Sequence, residues 1–464
     1  MSEYRSGSLH EECGIFGVFG RSDATELVYR GLREIQHRGQ ESCGIAWVRP
    51  DRRIGCRKGR GLVSEVFGQW FPADLAGAGE HAIGHVRYST AGGGNPENTQ
   101  PFVFRQRAGE YTLAHNGNIV NADILKERLC VEGSIFESSS DSEIIAHLIN
   151  KTVLKSPSDY IRAIRRAMNQ LDGAVSLLVM TADAIFACRD RFGFRPLSVA
   201  ELSGGYVVSS ETCALVQEGC TAIRDINPGE ILMISRDGIQ SFSFADEVCH
   251  KMCAMEYIYF ARADSVIEGV GVHSFRKAAG RILFEECPVG ADMVIGVPDS
   301  GLSAALGYSE ASGIPLEPGL VRNAYVGRTF IQPTQTMRDT GVKMKLSPIR
   351  SLIRGKRLVV IDDSIVRGTT SRKIIRLLRE AGASEVHMRI SSPMITGPCF
   401  YGVDIAVTDT LLCASNDCQA ACKAIEADSL GFISEAGLLR AGKRSDLCLA
   451  CFNRDYPTSL YGLM

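Results

Sequence analysis

The sequence lacks several features that would assign it to a class directly. Its 51 Lys and Arg residues balance 53 Asp and Glu residues, for a formal net charge of −2. This balance argues against a nucleic-acid or membrane partner recognised by bulk charge. No run of 18 apolar residues occurs, and residues 1–12 contain no hydrophobic stretch. We therefore expect no transmembrane anchor and no secretory signal peptide.

The composition is that of a globular protein. Of the 464 residues, 45% are hydrophobic and 22% are charged, which suggests two or three domains. Sixteen cysteines are too dilute for a disulfide-stabilised scaffold. We expect free thiols in the cytoplasm, some of them catalytic or metal-binding.

The first half of the chain predicts a layered α+β domain. Short β-runs alternate with glycine and polar turns, which favours antiparallel, hairpin-rich sheets. Two helical patterns interrupt these runs. The predicted strands are Cys13–Phe19, His81–Tyr88, Tyr111–His115, Val175–Thr181 and Ala184–Cys188, and the predicted helices are Thr25–Gln36 and Ser142–Lys155.

The second half predicts a parallel sheet. A strand, a loop and a helix follow one another twice, and a further strand closes the second unit. Such βαβ units place ligands at the carboxyl ends of their strands. The predicted elements are Met293–Val297, Leu302–Ala311, Arg357–Ile361, Ser371–Glu380 and Glu385–Ile390.

Cys13 is a candidate nucleophile because a polar leader precedes it. Cleavage after Glu12 would give Cys13 a free α-amine with a pKa near about 8, which can accept the thiol proton without a histidine. The alternative is a small buried residue on a strand. Residues 1–12 are then expected to be a propeptide.

Three further sites could complete an active centre, although each has an ordinary structural interpretation. Asn116 and Gly117 could form a hairpin turn, or an oxyanion hole from an amide and a backbone N–H. Arg87 could be a surface ion, and Asp141 a helix cap. Together they could instead bind the α-carboxylate and the α-ammonium of an amino acid.

The first half resembles the class II glutamine amidotransferases. The resemblance implies an N-terminal-nucleophile αββα fold over residues 13–243, in which Cys13 attacks the carboxamide of glutamine, forms a thioester and releases ammonia. Asn116 and Gly117 are the implied oxyanion hole. The implied glutamine ligands are His85, Arg87, Thr90 and Asp141. The motifs that carry the resemblance are Cys13–Gly17, Gln36–Ser42, His85–Thr90, His115–Asn118 and Ser140–Glu143.

A second site follows the predicted strand at Arg357–Ile361. Asp362 and Asp363 precede a glycine- and threonine-containing loop that enters a helix. Backbone N–H groups of this loop and the helix dipole suit a phosphate, while the two acids suit ribose hydroxyls and a divalent ion. An acid pair beside an ordinary helix cap is the alternative. The sequence contains no Walker A motif.

This part of the chain, residues 244–464, resembles an α/β type I phosphoribosyltransferase domain. The basic segment 327–345 is predicted to be a lid over the substrate. The resemblance implies one Mg2+ per subunit, held by Ser300, Asp362 and Asp363. The implied ligands of phosphoribosyl pyrophosphate (PRPP) are Asp299, Ser300, Gly301, Lys343, Asp362, Asp363, Ser364, Arg367, Gly368, Thr369 and Thr370.

The two halves together resemble the enzymes that join a class II glutaminase to a phosphoribosyltransferase. This implies that ammonia moves within the protein to C1 of PRPP, giving phosphoribosylamine in the committed step of de novo purine synthesis. It also implies a homotetramer and feedback inhibition by AMP, ADP or GMP. The alternatives are a glutaminase serving another acceptor and a non-catalytic nucleotide sensor. The sensor lacks support because no DNA-binding motif is present.

Four cysteines could hold a metal group. Cys448 and Cys451 form a C-x-x-C pair, and Cys253 and Cys399 match the other ligand positions in the iron–sulfur branch of these enzymes. The resemblance implies one [4Fe–4S] cluster per subunit with a structural role. A zinc site or free thiols are the alternatives. Five nearby residues are interpreted as packing residues: Cys249, His250, Cys413, Cys418 and Cys422.

Overall fold

The computed structural model describes residues 11–89, 96–106, 109–152, 156–323, 346–405 and 410–463. Two antiparallel sheets form the first part of the chain, and a parallel sheet forms the second. Thr90, Lys343 and the predicted lid at 327–345 lie outside the described residues. No helix in the described ranges is long and apolar enough to cross a membrane.

The first sheet has seven strands in the order β11-β9-β10-β1-β4-β2-β3. Its strands are β1 Glu11–Phe19, β2 Ser42–Val48, β3 Ile54–Arg60, β4 His81–Ser89, β9 Ser198–Leu202, β10 Gly205–Ser209 and β11 Thr221–Asp225. The second has six, in the order β13-β12-β8-β7-β6-β5. They are β5 Phe102–Gln106, β6 Gly109–Ile119, β7 Gly173–Met180, β8 Ala184–Arg189, β12 Glu230–Ser235 and β13 Gly238–Ser243.

The two sheets pack face to face between helices. Alternation along β1 explains this, since Ile15 and Phe19 join the layer between the sheets while Phe16 and Val18 pack on the helical side. At Gly17 an added Cβ would lie 3.1 Å from Leu178 Cδ1 on the opposite sheet. The predicted αββα arrangement is confirmed. Its helices are α1 Ala24–Glu34, α2 Val63–Val66, α3 Ala122–Val131, α4 Ser142–Asn150, α5 Pro157–Met168 and α6 Thr212–Gln217, with short 3-10 turns at Gln36–Arg38, Ala73–Leu75 and Pro96–Asn98.

The second domain begins with a connecting segment. It comprises β14 Met252–Cys253, a π-helix at Glu256–Phe260, β15 Val266–Ile267 and β16 Val270–Gly271. The parallel sheet that follows has the order β17-β20-β21-β22, so the predicted βαβ fold is confirmed. The remaining elements are α7 Val272–Glu286, β17 Met293–Gly296, α8 Gly301–Ser312, β18 Leu320–Arg322, β19 Leu346–Pro348, α9 Arg350–Ile353, β20 Arg357–Asp362, α10 Thr369–Glu380, β21 Glu385–Ile390, α11 Cys418–Ile425, β22 Ser429–Phe432, α12 Glu435–Gly442, β23 Leu447–Cys448 and α13 Ala450–Asn453.

Glycines allow α7 and α8 to pack closely beside this sheet. A Cβ at Gly280 would lie 1.8 Å from the carbonyl oxygen of Ala304, and one at Gly307 would lie 1.8 Å from that of Lys277. Backbones can approach this closely only where no side chain intervenes. The pair therefore fixes α8, whose first residue, Gly301, follows the implied PRPP ligands Asp299 and Ser300.

Two local predictions were wrong. The helix beginning at Ser142 ends at Asn150 rather than Lys155, and a separate helix begins at Pro157, a residue suited to the first turn. Asn116 and Gly117 are not a hairpin turn but lie inside β6, paired with Ser176 and Val175 of β7. The turn interpretation is thereby excluded.

Candidate active sites

Cys13 lies at the edge of the layer between the two antiparallel sheets. It is 2% exposed and stands directly opposite Arg87 in the pairing of β1 with β4. Opposed residues of an antiparallel pair project from the same face. Ile15, two residues along β1, lies in the inter-sheet layer, so Cys13 and Arg87 face that layer too. Arg87 is 1% exposed, which makes the surface-ion interpretation wrong.

Asn116 approaches the same region from the second sheet. Ala114 lies in the inter-sheet layer, and Asn116 shares its face of β6. Its side chain is 1% exposed, and neither Nδ2 nor Oδ1 has a hydrogen-bond partner among the described residues. An unsatisfied buried amide costs about 1–3 kcal/mol. Such an amide indicates a position prepared for a polar ligand.

Gly117 is required by the backbone at this position. Its φ is +150°, and a Cβ there would lie 1.9 Å from the carbonyl oxygen of Ala174. Any other residue would displace β6 from β7. The glycine therefore keeps Asn116 in register at the oxyanion position predicted from the sequence.

His85 joins the two sheets beside these residues. Its Nε2 donates to the carbonyl oxygen of His115 at 3.1 Å. Burial, assisted by the charge of Arg87, lowers the pKa of His85 to about 3. The imidazole is thus neutral near pH 7, and its Nδ1 has no partner among the described residues.

Asp141 lies at the start of α4, against the end of β6. It occupies the cap position but makes no capping hydrogen bond; its Oδ2 instead accepts from the backbone N–H of Ile119 at 2.8 Å. The cap interpretation is therefore wrong. Its carboxylate is 15% exposed, and Oδ1 lies 3.8 Å from Nδ1 of His115. This half-buried carboxylate can pair with an ammonium group.

The second site forms where two loops of the parallel sheet converge. A Cβ at Gly301 would lie 2.5 Å from the carbonyl oxygen of Ile361, so α8 begins directly against the end of β20. Ser300 Oγ donates to Asp363 across this contact, and Ser364 Oγ donates to the other carboxylate oxygen at 2.6 Å. Asp299 is more exposed and pairs with Arg322.

Asp362 and Asp363 are both 7% exposed. Burial, and then the adjacent Asp363 charge, raises the pKa of Asp362 well above its ordinary range. Burial also raises the pKa of Asp363, although Ser300, Ser364 and Arg276 oppose the shift. A bound cation would reverse this penalty by favouring both ionised forms.

The turn that enters α10 follows the acid pair. Gly368, with φ of +73°, turns the chain into α10, and a Cβ there would lie 2.8 Å from Leu412 Cδ2. Arg367, Thr369 and Thr370 are exposed around this turn. The first N–H groups of a helix have no intrahelical partner and attract anions.

The four candidate metal-binding thiols lie together at the junction of the two domains. Cys253 and Cys448 are paired across the parallel strands β14 and β23. All four are 7–8% exposed, and their charges would interact mutually, since the pKa of Cys451 is raised by burial and then by the other three thiols. Tyr401 N–H donates to Cys399 Sγ at 3.3 Å, a contact typical of cluster-ligating sulfur.

Among the residues that the structure describes, no three His, Cys, Asp or Glu side chains lie close enough together to hold a single metal ion. Four cysteine thiolates can bind either zinc or a [4Fe–4S] cluster, so both interpretations of this group stay open.

The five neighbouring residues that were interpreted as packing residues differ in burial and in their contacts. Cys418 and Cys422 of α11 donate to the carbonyl oxygens of Leu430 and Ala427 at 3.3 Å, and Cys413 is buried while Cys249 is exposed. His250 is more than a packing residue, because its ring contacts Asp446 at 2.6 Å and Glu268 at 2.8 Å.

Sequence reasoning did not identify a buried ionic group between the sites. Arg38 and Arg195 both pair with Glu256, Arg38 also pairs with Glu211, and all four residues are at most 3% exposed. No spacing indicates these pairs, because 218 residues separate Arg38 from Glu256. The one available signal was that Arg38 lies in the motif Gln36–Ser42.

Two family models match this chain. A glutamine amidotransferase domain matches residues 85–217, and a phosphoribosyl transferase domain matches residues 273–391. The first range contains Arg87, Asn116 and Asp141, and the second contains Asp362 and Asp363. Each match therefore contains residues of one site, while Cys13 lies outside the first matched range.

Relatives of known name cover nearly the whole chain. It is 49% identical over 460 residues to the amidophosphoribosyltransferase of Bacillus subtilis (strain 168), across 98% of this chain and 95% of that protein. Its identity to the amidophosphoribosyltransferase of Methanocaldococcus jannaschii is 46%, across 97% of this chain and 98% of that one.

Solved structures resemble the whole molecule as well. The glutamine PRPP amidotransferase from B. subtilis, complexed with ADP and GMP, has a TM-score of 0.90 at 47% identity, covering 97% of this chain and 98% of that chain. A structure described as the allosteric regulatory enzyme of purine biosynthesis has a TM-score of 0.91 at 48% identity, covering 97% of each chain.

Proposed function

This chain belongs to the amidophosphoribosyltransferase family, and on that basis we propose that it hydrolyses glutamine at Cys13 and transfers the ammonia to C1 of PRPP. The products are glutamate, 5-phosphoribosylamine and pyrophosphate, in the first committed step of purine (IMP) biosynthesis. One observation carries the proposal: a single chain combines the Cys13, Arg87 and Asn116 group with the Asp362–Asp363 pair at the end of a parallel strand.

We propose that the glutaminase centre works by nucleophilic catalysis. Sγ of Cys13 attacks the carboxamide carbon while the α-amine of Cys13 accepts the thiol proton and then delivers it to the departing ammonia. Nδ2 of Asn116 and the N–H of Gly117 stabilise the oxyanion. Water then cleaves the γ-glutamyl thioester, which releases glutamate and regenerates the thiol.

The remaining glutamine contacts follow from charge. Arg87 pairs with the α-carboxylate, and Asp141 pairs with the α-ammonium. His85, neutral in this environment, holds the two sheets together beside them. The proposed role of Thr90 rests on the resemblance alone.

Release of residues 1–12 activates Cys13 in this scheme. β1 begins at Glu11 and continues through Cys13, so in the uncleaved chain the nitrogen of Cys13 is an amide. An amide nitrogen cannot accept the thiol proton. Cleavage after Glu12 supplies the amine.

Ammonia and PRPP meet in the second domain. The α10 cradle at Arg367–Thr370 binds the 5′-phosphate, and Asp299–Gly301 bind the pyrophosphate. Ser300, Asp362 and Asp363 offer the oxygen donors that suit one Mg2+, which when bound neutralises charge on the leaving pyrophosphate. The nitrogen lone pair attacks C1 as the C1–O bond to pyrophosphate breaks. Lys343 is assigned to the lid over this site by resemblance.

The second domain closes the glutaminase layer, which supports internal transfer of ammonia. Asn118, two residues beyond Asn116 on β6, donates to the carbonyl oxygen of Phe400 at 2.9 Å. The inter-sheet layer therefore ends against the second domain and not against solvent at this point. Ammonia released in this layer can therefore pass into the second domain without first entering solvent.

Release of both products together tests the function. We expect glutamate and pyrophosphate in equal amounts from glutamine, PRPP and Mg2+, each dependent on the presence of the other substrate. The protein is prepared anaerobically, and mass spectrometry verifies that it starts at Cys13. Glutamate alone would indicate a glutaminase with another acceptor, and neither product would favour a nucleotide sensor.

We further propose that the four junction cysteines hold one [4Fe–4S] cluster. Four buried thiols from Cys253, Cys399 and the Cys448–Cys451 pair fit such a group, as does the N–H donor to Cys399. The cluster would fasten the C-terminal segment to the domain junction.

Iron analysis tests the cluster. We expect about four irons per chain in brown, anaerobically purified protein, and loss of that iron in Cys399→Ser. Cys422→Ser is the matched control, because its half-buried thiol lies outside the junction group, and it should retain the iron. Zinc in place of iron, or full iron content in Cys399→Ser, would contradict the assignment.

Regulation and assembly complete the proposal. The B. subtilis relative is described as complexed with ADP and GMP, which supports binding of AMP, ADP or GMP here, one nucleotide at the phosphoribosyl site and another beside it. We propose a homotetramer. Exposed apolar side chains on and after α3, which suit a subunit interface, are Ile124, Val131 and Ile135.

A further inference from the structure

A buried ionic group connects the two domains beside the glutaminase centre. Glu256 is fully buried on the π-helix that begins the second domain, and its carboxylate accepts hydrogen bonds from Arg38 and Arg195 of the first. Arg195 also donates to the carbonyl oxygens of Tyr401 and Gly402. The two arginines hold the pKa of Glu256 below its ordinary value against the effect of burial. The carboxylate is therefore ionised.

Arg38 touches the segments that carry both proposed catalytic and glutamine-binding groups. Its Cδ would lie 3.3 Å from a Cβ at Gly14, the residue that follows Cys13. At the next residue, Gly39, a Cβ would lie 2.5 Å from the backbone nitrogen of Arg87. A shift of Arg38 would therefore disturb the backbone next to Cys13 and the backbone of Arg87 together.

Stability is a poor explanation for this group. Burying several charges costs desolvation energy, and apolar replacements of similar volume are often as stable. Glu211 of the first domain also pairs with Arg38, and Glu256 adds the contacts that reach across the junction. A fixed geometry among two arginines and these two carboxylates instead specifies one arrangement of the domains. Because the group lies beside Cys13, we relate this arrangement of the domains to the glutaminase centre.

We propose that Glu256 is a positioning residue of the glutaminase centre, supplied by the second domain. It holds Arg38, and through Arg38 it holds the ends of β1 and β4 where Cys13 and Arg87 lie. The glutaminase centre is then complete only when the second domain is correctly docked. This proposal rests on the proposed function.

Glu256→Gln keeps the shape of the side chain and removes its charge. We expect kcat/KM for glutamine to fall by about 10- to 100-fold, the scale of a small misplacement near a reacting centre. Alkylation of Cys13 by the electrophilic glutamine analogue 6-diazo-5-oxo-norleucine should slow by a similar factor. Pyrophosphate release with ammonia as the nitrogen source should change less than about twofold.

Glu268→Gln is the matched control. Glu268 also joins the domains, through an ion pair with the buried Arg189, and it pairs with His250 and Arg444 of its own domain. None of these residues lies in the Cys13 segments. We expect its glutamine and ammonia activities to change by the same small factor. Arg195→Lys is the second variant: it leaves Arg38 paired, and it should slow Cys13 alkylation in the same direction by less.

The outcomes separate this proposal from the proposed function. Wild-type protein that releases no glutamate would contradict the function itself. Active wild type with unchanged alkylation in Glu256→Gln, or with equal loss of both activities, would overturn only the positioning role. If Glu256→Gln does not fold, wild-type kinetics in Arg195→Lys would overturn it.

Discussion

Cys13→Ala is expected to abolish use of glutamine while leaving synthesis from ammonia. Loss of a covalent nucleophile costs about 10⁴- to 10⁶-fold in rate. The Asp362–Asp363 site has its own groups in the second domain, so added ammonia can reach C1 without Cys13. Glutamate and pyrophosphate release, measured with glutamine and then with a high ammonium concentration, provide the check.

The control for this variant is another buried thiol of the same sheet. Cys43 is fully buried on β2, but it belongs to the core on the helical side, and burial raises its pKa to about 12. Cys43→Ala should lower stability by about 1–2 kcal/mol and keep glutamine-dependent synthesis. Loss of the ammonia activity in folded Cys13→Ala would refute two separate sites.

The chemistry of the first site was more predictable than its local structure. Motif residue types pointed to Cys13, Asn116 and Asp141, and alternation along β1 predicted a strand through Cys13. The Asn-Gly pair also satisfies hairpin turn rules, and local rules cannot detect that Val175 and Ser176 of a distant strand extend β6 past it. Pairing with a strand about 60 residues further along the chain decided the structure.

Burial was the property that local patterns predicted least. Arg87 and Asp141 had ordinary interpretations as a surface ion and a cap, and both were wrong because tertiary packing encloses Arg87 and turns Asp141 toward Ile119. The ion pairs of Glu256 could not be predicted from the sequence for the same reason. A charged residue's partner is set by the docking of domains, and no spacing within the chain encodes it.

For the second site, the sequence predicted both the residues and which loops lie next to each other. Carboxyl ends of adjacent parallel strands must meet at one edge of the sheet. The loops after β17 and β20 therefore converge, and Ser300 reaches Asp363. The close approach of Gly301 to the carbonyl oxygen of Ile361 could not be foreseen, since it joins residues 60 positions apart in the chain.

Asp362→Asn combined with Asp363→Asn is expected to have the opposite effect to Cys13→Ala. Pyrophosphate release should fall by at least about 10³-fold with either nitrogen source, because the charges that hold the cation and ribose are removed. Basal glutamate release should persist, since Cys13 and its neighbours are unchanged. Excess chelator should reproduce the loss of pyrophosphate release in wild-type protein.

Asp292→Asn is the control at the opposite edge of the same sheet. Asp292 pairs with Arg357 at 2.9 Å, where β20 begins, and its loss should leave both activities in place. Persistent pyrophosphate release in the double variant would remove Asp362 and Asp363 from the site. Loss of glutamate release together with pyrophosphate would instead make the glutaminase depend on the acid pair.

Thermal unfolding distinguishes a functional acid pair from a structural one. Folding raises the pKa of both carboxyls, so their stabilising contribution is present below their unfolded pKa and is lost as pH rises through the folded pKa. Without Mg2+ and PRPP, the double variant should therefore unfold at the same temperature as wild type or higher near pH 8. If the pair stabilised the fold, the double variant would unfold at a lower temperature than wild type. If the acid pair destabilises the free protein and is still required for pyrophosphate release, its role is to bind the cation and PRPP and not to stabilise the fold.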